Sequence, residues 1–251
     1  MSKKNTPSAS RSQRAAAAVA AQQAEEKRRR LLMIGGVVVA LIAIVVAGVL
    51  VQQSRDTSAD VDAPAAGGGT AGVEEFGLSI GDPEAPRSVV VYEDFLCPYC
   101  GDLEAATRAD LERLAEEGKV FVEYRPFNLL SRMGDYSARA ANAFRVVQEE
   151  TDAETAKDFH DLLFENQPAE GSDYPDDDQL VEWAVEAGAD EDAVRPGIED
   201  QSRMDWVEDA TDSAMAAGIN GTPTVLVDGT VFQEGNTVEE MADALTKKLE
   251  G

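Results

Sequence analysis

Residues 88–101 read SVVVYEDFLCPYCG, and the architecture follows from this stretch. Ser88–Phe95 is β-branched and aromatic enough for a buried strand, and Cys97-Pro98-Tyr99-Cys100 stands where a strand hands over to a helix. These are the only two cysteines in 251 residues. Their spacing lets them close a disulfide across one helical turn, with the first sulfur at the helix N-terminus. There, unpaired N–H groups and the helix dipole favour negative charge. The pattern points to a dithiol/disulfide redox centre with Cys97 as the attacking thiolate. Zinc is a competing use of Cys-x-x-Cys, but a four-ligand site needs further Cys or His. The chain offers only His160, so no metal is expected. A purely structural bridge is the other alternative, yet so small a loop constrains little.

Working outward, Asp102–Glu117 has helical spacing closed by Gly118, and Val120–Phe127 (VFVEYRPF) alternates as a second strand. Strand, helix and strand within about 40 residues predict a right-handed βαβ unit, hence an α/β fold. Active residues of such units gather at the carboxyl ends of the strands, where Cys97 lies. Upstream, Leu78–Ile80 reads as a short edge strand, followed by turn chemistry at 81–86. Downstream, Tyr136–Glu150, Thr155–Asn166, Asp178–Ala187 and Ser202–Ala217 carry apolar residues at three- and four-residue spacing. They predict a helical block, about 136–217, inserted into the α/β domain. His160 reads as a helix residue with a local hydrogen bond, and Trp183 and Trp206 as core or rim packing. Strands return at Gly221–Phe232, where Asp228-Gly229 is a strong hairpin signal, and Val238–Leu249 closes the chain as an amphipathic helix.

The N-terminal quarter has a different character. Residues 1–30 carry a net charge of +6 and the rest of the chain −32. The first segment is a basic, disordered tail without core-forming residues. Leu31–Val51 holds 21 uncharged residues, which as a helix span roughly 31 Å, the thickness of a bilayer's hydrocarbon. It predicts one transmembrane helix. A cleaved signal peptide is the alternative, opposed by the long leader and the long apolar run. Lys27–Arg30 on one side places the N-terminus in the cytoplasm and the acidic domain outside. Residues 52–72 form a flexible Gly/Ala-rich linker, and 73–251 the folded domain. An acidic surface excludes nucleic acid as a partner by charge repulsion, and reads as a solvated face or as adaptation to a salty exterior.

Three motifs, taken together, resemble the DsbA-like branch of the thioredoxin superfamily in membrane-tethered form. They are Glu93–Cys100 (EDFLCPYC), Phe159–Gln167 (FHDLLFENQ) and Gly218–Thr224 (GINGTPT), spread over roughly residues 75–250. The resemblance implies a thioredoxin fold with an inserted helical subdomain. It implies Cys97 as surface nucleophile, Cys100 as buried resolving cysteine, Pro223 as a cis-proline facing the disulfide, and Thr222 as the residue whose backbone pairs with substrate. Pro98 and Tyr99 would then tune the centre. Relatives often carry histidine at the position of Tyr99, and its absence implies a less acidic Cys97 and a less oxidising disulfide. They often carry a buried acid at the position of Val91, a proton acceptor whose place Glu93 or Asp94 would take. The implied activity is thiol–disulfide exchange that forms disulfides in exported proteins, with the Cys97–Cys100 disulfide itself as redox centre and no bound cofactor. Exported protein thiols are the implied substrates, and a membrane redox partner is needed for reoxidation. A reductase or isomerase, and a tethered binding or chaperone-like module without redox turnover, are the alternatives.

Overall fold

A computed structural model of the chain describes residues 73–251. The basic tail 1–30, the apolar segment Leu31–Val51 and the linker 52–72 lie outside the described residues. Among the described residues, no helix is long and apolar enough to cross a membrane.

Six strands, β1 (Val73–Glu74), β2 (Gly77–Ile80), β3 (Arg87–Glu93), β4 (Val120–Pro126), β5 (Thr224–Val227) and β6 (Thr230–Val231), form one sheet in the order β1-β2-β4-β3-β5-β6. Strands β3 and β4 pair in parallel, Val89 opposite Val122, across helix α1 (Pro98–Glu116). The other neighbours are antiparallel. The βαβ unit read from the sequence is therefore the centre of the sheet. Leu78–Ile80 differs from its reading as an edge, since β1 pairs outside β2.

The strand period of two divides the core. Val89 and Val91 face one layer, shared with Leu111 and Leu114 of α1 and with Leu245 and Leu249 of the last helix, α7 (Val238–Glu250). Val90 and Tyr92 face the other, with Ala214 and Ile219. Both faces of β3 are thus covered, which is why its run is apolar throughout rather than alternating.

Between β4 and β5 lie α2 (Tyr136–Glu150), α3 (Ala153–Glu165), α4 (Asp177–Glu186), α5 (Glu191–Glu199) and α6 (Met204–Ala216). Their shared core contains Phe144, Phe159, Leu163, Leu180 and Trp183, with Trp206 partly buried against it. It also contains Phe95, Leu96, Cys97 and Cys100. The inserted helices thus pack directly on the cysteine motif. Helix α5 is missing from the sequence reading and carries two weak helix formers, Pro196 and Gly197; Gly197 admits α2, since a Cβ there would lie 2.9 Å from Val146 Cγ1. The Asp228-Gly229 turn joins β5 to β6 with φ of 51° and 76°, the two positive values a tight hairpin requires.

Candidate active site

The motif is placed by the way β3 ends. Beyond Glu93 the chain turns on Asp94, whose carbonyl accepts the Cys97 N–H (2.9 Å) and whose Oδ1 accepts the Leu96 N–H (2.8 Å). Oδ1 also accepts the Ser137 hydroxyl (2.6 Å), while Oδ2 accepts the N–H groups of Leu129 (2.9 Å) and Leu130 (2.8 Å). One buried carboxylate thereby ties the end of β3 to the loop after β4 and to the first turn of α2. Burial raises its pKa, and the four donors pull against that rise. With its oxygens committed to four donors, Asp94 anchors the motif.

Helix α1 begins four residues earlier than its sequence reading. Pro98 occupies the first turn, where a missing N–H costs nothing, and Cys97 is the N-cap. The helix start therefore falls on the motif itself. Both cysteines are free thiols, and Cys97, at 5% exposure, is shaded almost as fully as Cys100 at 3%. The open surface nucleophile implied by the resemblance is therefore corrected: it is Tyr99, at 63%, that stands in solvent. The shading comes from helical packing beneath and from the Thr222 segment, whose carbonyl accepts the Cys97 thiol at 3.5 Å. The Thr222–Pro223 peptide bond is cis, as the resemblance implies.

The two sulfurs have opposite electrostatics. A hydrogen bond from the Cys100 thiol draws the Cys97 pKa down to about 6 against the cost of burial, helped by Thr222 and by the N–H groups of Tyr99 and Cys100. The buried Thr222 hydroxyl lacks a partner in the dithiol, and a Cys97 thiolate is the acceptor it needs. Burial, then the hydrogen bond it gives to Cys97 and the charge there, push Cys100 well above the usual thiol range. Hydrogen bonds thus supply the acidity that a histidine at Tyr99 would otherwise give.

Glu93, the other acceptor candidate, is buried and paired. Its Oε1 lies 2.7 Å from Nε2 of the fully buried His160, whose Nδ1 lies 3.0 Å from Asp161 Oδ1. Asp161 in turn accepts from Lys157 Nζ at 2.6 Å. The imidazole sits among Tyr124, Phe164 and Phe95, with centroids 4.7, 5.2 and 5.8 Å away. The local bond expected of His160 is present, but the sequence reading missed its long-range partner. One signal was available: a strand covered on both faces leaves no solvated place for a glutamate. Glu104, His160 and Asp161 also bring potential ligand atoms within 4.8 Å of one another, but Arg108 and Lys157 already neutralise that cluster.

Burial opposes charge on His160, yet Glu93 and Asp161 outweigh it and raise its pKa from 6.5 to about 9. Burial raises Glu93 too. A raised folded-state pKa gives stability that is complete below pH 6.5 and lost by about pH 9. In the oxidised protein, where neither cysteine titrates, the unfolding free energy is expected to fall by roughly 1–3 kcal/mol across that window. His160 is the sole histidine, so His160→Gln should flatten the profile. Urea unfolding at the two ends of the window is the check, and a rise with pH would contradict the pairing.

Comparison with known proteins gives a consistent picture. The reduced disulfide bond oxidoreductase DsbG of Mycobacterium tuberculosis superposes with a TM-score of 0.59 at 31% identity, over 70% of this chain and 88% of that one. The probable disulfide bond formation protein D of Bacillus cereus is 24% identical over 174 residues, 68% of this chain and 78% of its own. The Na(+)/H(+) antiporter NhaA 1 of Salinispora arenicola is 30% identical over 171 residues. That match takes in 68% of this chain but only 24% of the antiporter, so the chain spans about a quarter of that relative's length. Residues 74–247 match the family model described as Thioredoxin. On that match, and on the mixed sheet that carries Cys97-Pro98-Tyr99-Cys100 at the end of its central strand, the chain belongs to the thioredoxin family.

Proposed function

We propose that this protein is a thiol–disulfide oxidoreductase that forms disulfides in exported proteins, anchored through Leu31–Val51 with its catalytic domain outside the membrane. The observation that carries the reading is the geometry of the pair: Cys97 caps helix α1 with its sulfur 3.5 Å from the Thr222 carbonyl beside the cis-proline, and Cys100 lies buried in the first turn. This arrangement lowers the pKa of Cys97 and raises that of Cys100. The likeness to DsbG supports thiol–disulfide exchange, and that to disulfide bond formation protein D supports the direction.

In the oxidised protein, a substrate thiolate attacks Cys97 Sγ. The Cys97–Cys100 bond breaks, a mixed disulfide forms, and Cys100 leaves and takes up a proton. A second substrate thiolate then attacks the substrate sulfur of that bond and Cys97 departs as a thiolate. Two electrons have passed from the substrate dithiol to the pair, and a membrane redox partner removes them. The Thr222 backbone, beside Cys97, is suited to pair with an extended substrate with little sequence demand. No bound cofactor is called for, because the disulfide is the electron acceptor.

The reduction potential of the full chain, equilibrated against glutathione buffers and read by thiol alkylation, tests this. It is expected between about −270 mV, the thioredoxin value, and about −120 mV, that of a strong oxidant. A value at or below about −270 mV would favour the reductase reading. A pair that never exchanged with glutathione would leave only a binding module.

A further inference from the structure

Cys97 is an N-cap whose protonated thiol makes no capping hydrogen bond; only as a thiolate does it draw on the N–H groups of the first turn. An ordinary N-cap places an oxygen over the first N–H groups and in doing so fixes its own rotation. Here that oxygen is replaced by the sulfur that must react, so the orientation of the cap has to be set from outside. Gln167, directly after α3, meets that need. Its Nε2 donates to the Phe95 carbonyl at 2.9 Å and to the Cys97 carbonyl at 3.0 Å, on either side of Leu96. The same Cys97 carbonyl accepts the N–H groups of Cys100 (3.0 Å) and Gly101 (3.2 Å), the first bonds of α1.

The anchoring of Gln167 is itself firm. Its N–H donates to the Phe164 carbonyl, and Phe164 packs its ring 5.1 Å from that of Phe95. Pro168 stops the helix from running on. The receiving side is also fitted: a Cβ at Gly101 would lie 2.6 Å from Gln167 Oε1. Glycine in the first turns of a helix is unfavourable by roughly 1 kcal/mol relative to alanine, so its presence marks the space the amide takes.

We propose that Gln167 is a positioning residue for the redox pair: its side-chain amide clamps the Phe95 and Cys97 carbonyls, holding the Cys97 sulfur toward Thr222 and the helix N-terminus, with Gly101 as the space that admits it. The inference rests on the redox reading above and extends it to a residue of the inserted helical block. The clamp acts on the thiolate in two ways. It aligns the sulfur with the N–H groups of the first turn, and it offsets the negative ends of two carbonyls that lie beside a developing negative charge.

The test uses the full chain in detergent, reduced, with thiolate absorbance near 240 nm followed against pH, and with the equilibrium constant for glutathione exchange measured on the same samples. Wild type should half-titrate near pH 6. Gln167→Ala should raise that midpoint by roughly half a unit, and Gln167→Glu, which replaces the donor by an acceptor, by roughly one unit. The exchange constant should shift about 3–10-fold toward the disulfide form. Gly101→Ala pushes aside only the flexible end of Gln167, so it should reproduce Gln167→Ala. Added to Gln167→Ala, it should shift the midpoint no further and should raise Tm through helix propensity. Unchanged midpoints in the Gln167 variants would overturn the clamp while leaving the redox reading intact. Additive effects of Gly101→Ala and Gln167→Ala would overturn the role given to Gly101. Failure of wild type to exchange with glutathione would overturn the redox reading, and the absorbance midpoints would still report on the clamp.

Discussion

Cys97→Ser is expected to reduce the oxidation of a reduced, denatured protein substrate by on the order of 10³-fold or more, to the uncatalysed rate. Serine keeps the size of the N-cap, and even adds a capping oxygen, so the fold should be retained or slightly stabilised. What disappears is a group ionised near neutral pH; a hydroxyl in the same hydrogen bonds stays protonated. Cys100→Ala separates the roles of the two sulfurs. Given a substrate that already carries disulfides, Cys97 then still attacks one of them and a substrate sulfur leaves as thiolate, but the neighbouring thiol that would release the resulting mixed disulfide at high effective concentration is gone. Covalent adducts with substrate should accumulate, visible as a gel shift that vanishes on reduction. Catalysed oxidation retained in Cys97→Ser would show that Cys97 is not the redox nucleophile.

The second large effect is one of stability. Asp94→Ala removes the acceptor of three backbone N–H groups and the Ser137 hydroxyl at once. A buried donor left without a partner costs about 1–3 kcal/mol, and water recovers part of this at the half-buried Leu129 and Leu130. A net loss of about 3–5 kcal/mol is expected, a fall in Tm of roughly 10–15 °C for a domain of this size. Asp94→Asn keeps one acceptor oxygen but turns an NH2 group toward two of the donors, so its loss should be of similar kind and smaller. Thermal unfolding of the oxidised forms measures both. A fall below about 2 °C for Asp94→Ala would show that the carboxylate is not the anchor described.

The parts of this site that the sequence makes legible are those carried by neighbouring residues. The strand running into Cys97, the helix leaving it, the Asp228-Gly229 hairpin and the return strand at Thr224 all rest on local sterics and periodicity. Even the early start of α1 was signalled, by a proline at its first position. The missing parts depend on separation along the chain. Glu93 meets His160 across 67 residues, Asp94 meets Ser137 across 43, and Gln167 meets Cys97 across 70. Each of these side chains also has an ordinary solvated role, so its type alone does not reveal burial. Glu93 and Asp94 are adjacent acids at the same strand end, yet one is an ion-pair partner and the other a backbone anchor. Strand parity and the covering helices decide between those fates, and neither is visible until the layers are assembled.

The sheet margins bear on solubility. Among the described residues, β1 and β6 are each two residues long. A long exposed margin would offer unfolded chains a template for self-propagating pairing, and proteins that avoid aggregation blunt it by shortening it. Two residues offer too few ladder bonds to hold a stray strand in register. A protein proposed to handle unfolded chains thus gives them little purchase at the β6 margin, where geometry works against misassembly alongside charge.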